Sequence, residues 1–459
     1  RIYNPMEKKN TLLQWLLPLL MLSGFYIIVV HLKRTETLPL LLTYSCLFVI
    51  LGFWLKKYSN LTLIFIFGLL ARGLFLGYTP ELSQDFYRFI WDGNIQLLGI
   101  NPYLYTPNHL IEILGFPNAD LLLKEMGSLS TENFSNYPPL SQYLYQIMGS
   151  LNRSDLMPAI VSLRIFYFVA EIFLFFSGIA LLKKVNLNPE HLGWYFLNPL
   201  VIIEGIGNLH GEAFMLCFTL VAFLYLVRKK IILGGLFMAL AIAIKLLPLL
   251  IFPFFFRYLG FKKFLVFCLS IVTFSALLWG PFIEADMITN YQNTIGLWFN
   301  RFEFNGSIYN IVRSIGYEIE GYNIIRKLGK ITPYITIALV LVFTLLRSNR
   351  ELKAIFTSML FLLSCYFFMA TTVHPWYIIN LIFLGILTGY AYPLVWSLTV
   401  FWSYSAYGPE GFQEQLGWQV PAYLLMYGCF LWELITGPLG KHLQKPDFFS
   451  IESSPVSTR

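Results

Sequence analysis

The chain has 459 residues, of which 57% are hydrophobic and only 12% charged. Soluble domains carry about 25% charged residues, so this composition excludes an ordinary soluble enzyme and points to a polytopic membrane protein. The net charge of +7 fits basic residues held on the cytoplasmic side of a membrane and gives no reason to expect a nucleic-acid partner.

Residues 11–31 follow Lys8 and Lys9 in the manner of a signal sequence. No small-residue cleavage site follows, and more apolar runs do, so an uncleaved first helix is expected. The other clear runs are 38–55, 60–78, 159–182, 211–227, 264–283, 331–346, 354–371 and 419–436. Each is close to the roughly 20 residues that cross hydrocarbon. Three regions are irregular. Residues 191–206 are apolar but short. Residues 231–256 are too long for one span and contain Lys245, Pro248 and Pro253. Residues 375–406 break at Gly389, Tyr390 and Pro393.

Positive charge orders these segments. The clusters Lys8/Lys9, Lys56/Lys57, Lys183/Lys184, Arg228/Lys229/Lys230, Arg257/Lys262/Lys263, Arg347/Arg350/Lys353 and Lys441/Lys445 are placed inside. Residues 231–256 must then enter and return, turning near Lys245 and Pro248, and 375–406 must do the same in the opposite sense. Both termini fall inside. Lys33/Arg34 is the exception, a basic pair that lands outside. The expectation is one all-α polytopic membrane domain over 1–459, a bundle of about 11–14 transmembrane or half-spanning helices. Two long outer segments, 79–158 and 284–330, are expected to carry amphipathic helices at the membrane surface. Residues 437–459 read as a short cytoplasmic tail.

The polar residues fall in a few short stretches. If 84–99 is helical, Asp85, Arg88 and Asp92 share a face. A carboxylate there suits a general base acting on a hydroxyl; an ion-paired, solvated face is the alternative. Asn101-Pro102-Tyr103 closes that helix. After Asn198-Pro199-Leu200 come Glu204, Asn208, His210 and Glu212. Ionisable groups near membrane depth are costly and usually functional, so His210 and Glu212 are candidates to contact a sugar or a phosphate. Their spacing is not that of a helical His-Glu-x-x-His site, and no metal is expected; a satisfied interfacial turn is the alternative. Lys245, alone in AIAIKLLPLL, needs an anionic partner such as a lipid phosphate, or a route to water. Arg301 in WFNRFEFNGSIYN is a candidate phosphate clamp, or one solvated charge in an aromatic belt. His374 and Tyr377 in VHPWY are candidates to meet phosphate or sugar, or merely start a helix. The five cysteines all lie in apolar runs without a CxxC pair, so neither a disulfide framework nor a zinc site is expected. Under the charge-ordered topology all of these candidates fall on the same side.

The stretches SQDFYRFIWDGNIQLLGINPY, NYPPLSQYLY, NPLVIIEGIGNLHGEAF, AIAIKLLPLL, FNGSIYN and VHPWY, in that order over roughly residues 80–380, resemble the GT-C superfamily of membrane glycosyltransferases. They look closest to bacterial polyprenyl-phosphate-mannose-dependent mannosyltransferases. The resemblance implies a bundle of membrane helices with outer-loop helices, a catalytic acid at Asp85, and a polyprenyl-phosphate sugar as donor, without a cofactor. It further implies a bacterial inner-membrane protein whose site faces the periplasm, with membrane lipids and a lipid or glycan acceptor as partners. Asp85 is then the base of an inverting transfer, most simply of mannose. Lys245, His374 and Arg301 would stabilise the leaving phosphate. Arg88 would keep Asp85 ionised, Asp92 would orient the helix or bind sugar, and Tyr103 would form a wall. Three features depart from the pattern: two apolar spans precede the one leading to Asp85, Glu212 stands where Asp is expected, and no large outer domain follows the last span. A lipid or lipid-linked sugar flippase, and a glycan ligase or polymerase of the same fold, are the alternative functions.

Overall fold

The computed structural model describes residues 11–113, 115–151 and 156–439. The basic pair Lys8/Lys9, the cluster Lys441/Lys445 and the tail beyond 439 lie outside the described residues. Apart from a hairpin pairing Tyr407–Gly408 with Gly411–Phe412 and one isolated bridge, the regular structure described is helical. Helices are what a lipid-embedded chain must form, because each backbone group then finds its partner within its own segment.

By length and composition, six helices can cross a membrane: Thr11–His31, Thr37–Lys57, Leu156–Lys184, Phe261–Phe282, Ile325–Leu345 and Leu352–Met369. Val201–Gly207 and Glu212–Val227 are long and apolar enough only as a pair, bent by 103° at its break, the geometry of a broken span or a re-entrant loop. Leu61–Gly73, Ile231–Ile242, Pro248–Leu259 and Pro375–Thr388 are shorter apolar helices. The expected all-α polytopic architecture is borne out; among the described residues, six helices have membrane-spanning length, and the expected count of 11–14 is approached only by adding the bent pair and the four shorter helices.

Two expected spans come out differently. The run 60–78 is helical only over Leu61–Gly73, capped by the Asn60 side chain, and then turns. The last run lies in Leu416–Thr436, which is not among the six. Its Glu433 is buried, and the carboxylate accepts from the backbone N–H groups of Ala391 and Tyr392. It thereby satisfies donors at the start of helix Tyr392–Thr399, which helix geometry leaves unpaired. Both irregular regions break where the sequence does. Helix Ile231–Ile242 stops, residues 243–247 turn, and Pro248 begins the next helix. Gly389, at φ 86°, ends Ile379–Thr388, and helix Tyr392–Thr399 follows.

The interior of the bundle carries its own charges. Arg72 and Glu171, both fully buried, pair at 3.2 Å, and Arg72 also donates to the carbonyls of Gly68 and Phe196. A buried charge is tolerable only when paired and hydrogen-bonded.

The connecting segments converge at one end of the bundle. Leu82 N–H reaches the Asn208 side chain at 3.4 Å. Leu140 N–H and Ser141 hydroxyl donate to the carbonyls of Ala243 and Ile244. Phe304 exchanges backbone hydrogen bonds with Thr371 and Val373. The hairpin region joins through Glu414, which accepts from Asn305 N–H.

Candidate functional site

Asp85 is the first residue of helix Asp85–Leu97. Close packing with helix Pro139–Leu151 sets that helix in place. A Cβ at Gly93 would come within 2.2 Å of the Tyr145 carbonyl oxygen, so only glycine allows the two backbones to touch, as small residues do between membrane helices. One turn past Asp85, Arg88 pairs with Asp92 at 2.7 Å and donates to the carbonyls of Ser130 and Asn133. The other Asp92 oxygen accepts from Ser135 hydroxyl at 2.6 Å and Gln142 amide at 2.9 Å. Both residues are buried. Arg88 is therefore turned to Asp92 and not to Asp85, and of the two roles expected for Asp92 the arrangement fits orienting the helix rather than binding sugar. The pair is an internal tie between the helix and the loop over residues 130–142.

Asp85 itself is open. About 35% of its side chain is accessible, and one carboxylate oxygen lies 4.0 Å from His210 Nδ1. Crowding by the protein on its remaining sides raises its carboxyl from the ordinary 3.8 to about 6. The nearby Lys245 opposes that rise, Glu212 adds to it, and Arg34 opposes it.

His210 is held by a wide π-helical turn, Val201–Gly207. Such turns are rare and frequent at functional sites. The turn ends with Asn208 N–H on Ile203 O and His210 N–H on Glu204 O. Leu209, at φ 61°, makes the reversal. The fully buried Glu204 accepts from Asn208 amide at 3.0 Å and Tyr404 hydroxyl at 2.8 Å, and lies 3.6 Å from His210 Nε2. Arg164, from helix Leu156–Lys184, fastens this turn to the segment before Asp85. Its buried guanidinium donates to the carbonyls of Ile206 and Gly207 on one side and of Leu76 and Tyr78 on the other. One side chain thus fixes the two loops that bring Asp85 and His210 together.

A row of stacked rings continues from His210. Its imidazole lies on Trp376 at 3.5 Å between centroids, Trp376 lies on His374 at 4.2 Å, and His374 faces Phe304 at 5.0 Å. Tyr377 meets His374 edge-on. Burial, with Lys245 nearby, lowers the His374 imidazole to about 3, so it is neutral at physiological pH. Lys245 sits in the turn 243–247 with a quarter of its side chain accessible, and pairs with the buried Glu212. The anionic partner that Lys245 requires is therefore supplied by the chain itself.

The structure thus gathers Asp85, His210, Glu212, Lys245, His374 and Tyr377. It does not bring in Tyr103 or Arg301. Tyr103 is fully buried in a small separate core with Phe282 and Met287, and its hydroxyl donates to the Tyr137 carbonyl at 2.6 Å. Arg301 is exposed at the end of helix Met287–Asn300. The paired cations described within that outer segment are Arg313, on Glu303, and Lys327, on Glu320 at 2.8 Å. Two site residues were not foreseen. Tyr404 gives no local signal. Arg34 shows in the sequence only as the charge on the wrong side. Among the described residues, no group of three or more His, Cys, Asp or Glu side chains is placed to hold a metal ion.

Residues 74–259 match the family described as alpha-(1->6)-mannopyranosyltransferase, N-terminal domain. Alpha-(1->6)-mannopyranosyltransferase A of Corynebacterium glutamicum is 22% identical over 176 residues, covering 38% of this chain and 34% of that protein. Alpha-(1->6)-mannopyranosyltransferase B of the same organism is 24% identical over 145 residues, 31% of this chain and 23% of its own length. The chain thus aligns with about a third or less of these curated relatives. The resemblance to membrane mannosyltransferases is borne out over 74–259, which includes Asp85, His210, Glu212 and Lys245 and leaves out Arg34, Arg301 and His374.

Proposed function

We propose that the chain is a glycosyltransferase of the membrane, moving a sugar from a polyprenyl-phosphate donor to a hydroxyl of a lipid or glycan acceptor at the outer membrane face. The names of its relatives favour mannose. The observation that carries the reading is Asp85: a partly open carboxylate at the mouth of the bundle, beside a row of fixed rings, raised to about 6. A base with that affinity is ionised at neutral pH and still binds a proton well, which is what general-base catalysis needs.

Asp85 takes the proton of the acceptor hydroxyl as its oxygen attacks the anomeric carbon. The bond to the phosphate oxygen breaks on the opposite face, the anomeric centre inverts, and polyprenyl phosphate leaves with the electron pair. The stacked His210, Trp376 and His374 hold their ring edges in fixed positions around this centre. His374, being neutral, serves by donating a hydrogen bond rather than by charge. Lys245, tied to Glu212, positions that carboxylate and adds positive potential beside Asp85. Prearranged groups of this kind act on charge as it develops, without reorganisation cost. No step calls for a cofactor or a metal ion. A lipid-linked donor suits an outward site, because its tail stays in the bilayer while its head reaches the mouth.

The test uses protein in liposomes with radiolabelled polyprenyl-phosphate mannose and extracted membrane lipids and glycans. Transfer by the natural protein and its loss in Asp85→Asn are expected. Equal transfer by both would move the base elsewhere. No transfer, with movement of the lipid between leaflets, would replace this reading with a flippase.

A further inference from the structure

Arg34 lies in the short turn between the first two helices, outside the segment that matches the family. Its guanidinium donates to the Leu82 carbonyl at 3.3 Å and lies over the Tyr407 ring at 4.1 Å. Tyr407 contacts Phe304 at 5.9 Å. From Phe304 the stack runs through His374 and Trp376 to His210 and so to Asp85. Leu82 leads back to Asp85 along the chain. These contacts close a circuit that includes both Arg34 and Asp85.

Within this circuit the charges are unequally committed. Lys245 is paired with Glu212. Arg34 forms no ion pair among the described residues, and one carbonyl accepts from it. A guanidinium carries five N–H donors, so most of its capacity is unused. In the charge-ordered topology it falls on the side where basic residues are disfavoured, and a ring holds it in place, a geometry that suits the planar guanidinium.

The geometry points to Arg34 as the group that receives the phosphate of the lipid-linked substrate and balances its charge as the sugar leaves. This rests on the transfer reading above. It assigns the charge-balancing role to the turn before the second helix rather than to Lys245 or Arg301. Planar, paired N–H donors match two phosphate oxygens at once. The binding partner is defined by its phosphate, carried on a prenyl chain or free.

Equilibrium binding of a short-chain prenyl phosphate, which needs no turnover, is measured for the natural protein, Arg34→Gln, Arg34→Lys and Lys33→Gln. Inorganic phosphate is measured in parallel. Arg34→Gln is expected to weaken prenyl phosphate binding by at least about tenfold, the scale of a lost hydrogen bond to a charged group. Arg34→Lys should recover part of it, and Lys33→Gln should match the natural protein. Equal weakening towards inorganic phosphate would show that the head group alone is read; a loss confined to the prenyl ester would show that the lipid brings it there. In transfer assays the donor KM should rise by a similar factor, and kcat should fall as well, because the departing phosphate gains charge. Unchanged prenyl phosphate binding in a folded Arg34→Gln protein would overturn the assignment. So would a fall in kcat alone, which would leave Arg34 as a brace for residues 79–84. Because binding is read without turnover, absence of any sugar transfer would refute the enzymatic reading and leave the Arg34 result to be judged separately.

Discussion

Asp85 and Asp92 lie two turns apart on one helix and share a chain, a backbone direction and a chemical group. Asp92 is sealed: one oxygen takes the Arg88 guanidinium, the other takes Ser135 and Gln142, and nothing of it is accessible. Asp85 has about a third of its side chain open, His210 at 4.0 Å, and cations nearby that leave it raised rather than lowered. The difference teaches that what makes a carboxylate reactive is incomplete satisfaction. A fully hydrogen-bonded, paired carboxylate is a structural cross-link; one that burial crowds while its partners stay at arm's length keeps its affinity for a proton.

The largest way to break this comparison is to neutralise each carboxylate in turn. Asp85→Asn should lower transfer by about 10²–10⁴-fold, the span of general-base catalysis, in a protein that folds normally. Asp92→Asn should leave turnover per folded molecule within a few-fold. Instead it should lose about 3–5 kcal/mol of stability, since Arg88 is left buried without its partner; unfolding in detergent against denaturant reads it. A large turnover loss in folded Asp92→Asn would place Asp92 in the chemistry and end the contrast.

Next comes the pair of Lys245 with the buried Glu212. Lys245→Met strands Glu212 and should destabilise by about 2–4 kcal/mol, and adding Glu212→Gln should recover a good part of that. A double variant no better than the sum of the two singles would mean the pair is not the reason for either residue.

The pH dependence is smaller and sharpens the same contrast. The folded Asp85 carboxyl, at about 6, lies above its ordinary 3.8, so its ionisation costs stability at high pH. That cost is full above about 6 and gone below 3.8. Asp85→Asn should therefore be more stable than the natural protein at pH 7.5, with the gain vanishing as pH falls through that window. The acid limb of kcat/KM should show an apparent pKa near 6. The smallest effect is expected at Arg301: its alanine variant should stay within about 0.5 kcal/mol in stability, as exposed substitutions do, with donor KM unchanged.

Much of this was legible before the fold. The apolar runs, the turn at Lys245 and Pro248, and the break at Gly389 follow from local composition and from charges that must avoid lipid. Asp85 stood out as a carboxylate at a helix start next to a span, with an ion-paired, solvated face as the alternative. Arg88 and Asp92 could not be separated from it, because spacing on a helix says which residues share a side and not what covers that side. The cover comes from Ser130, Asn133 and Gln142, some 40 to 50 positions away. Lys245 was read as short of a partner for the same reason: Glu212 is 33 residues earlier. Arg34 was visible only as a violation of the charge rule, and the ring that holds it lies near the other end of the chain.

The contact between Arg34 and Tyr407 has a consequence in time. Its two sides are roughly 370 residues apart, and at about 5–20 residues per second of synthesis the first waits on the order of 20–75 s for the second. Tyr44, bonded to Ser397 across 353 positions and stacked on Phe401, waits nearly as long. Asp85 and His210 both emerge well before Tyr407, so for the later part of that interval they await the segment that completes the contact with Arg34. The order of translation thus sets Asp85 and His210 down before the hairpin segment that closes the circuit around them.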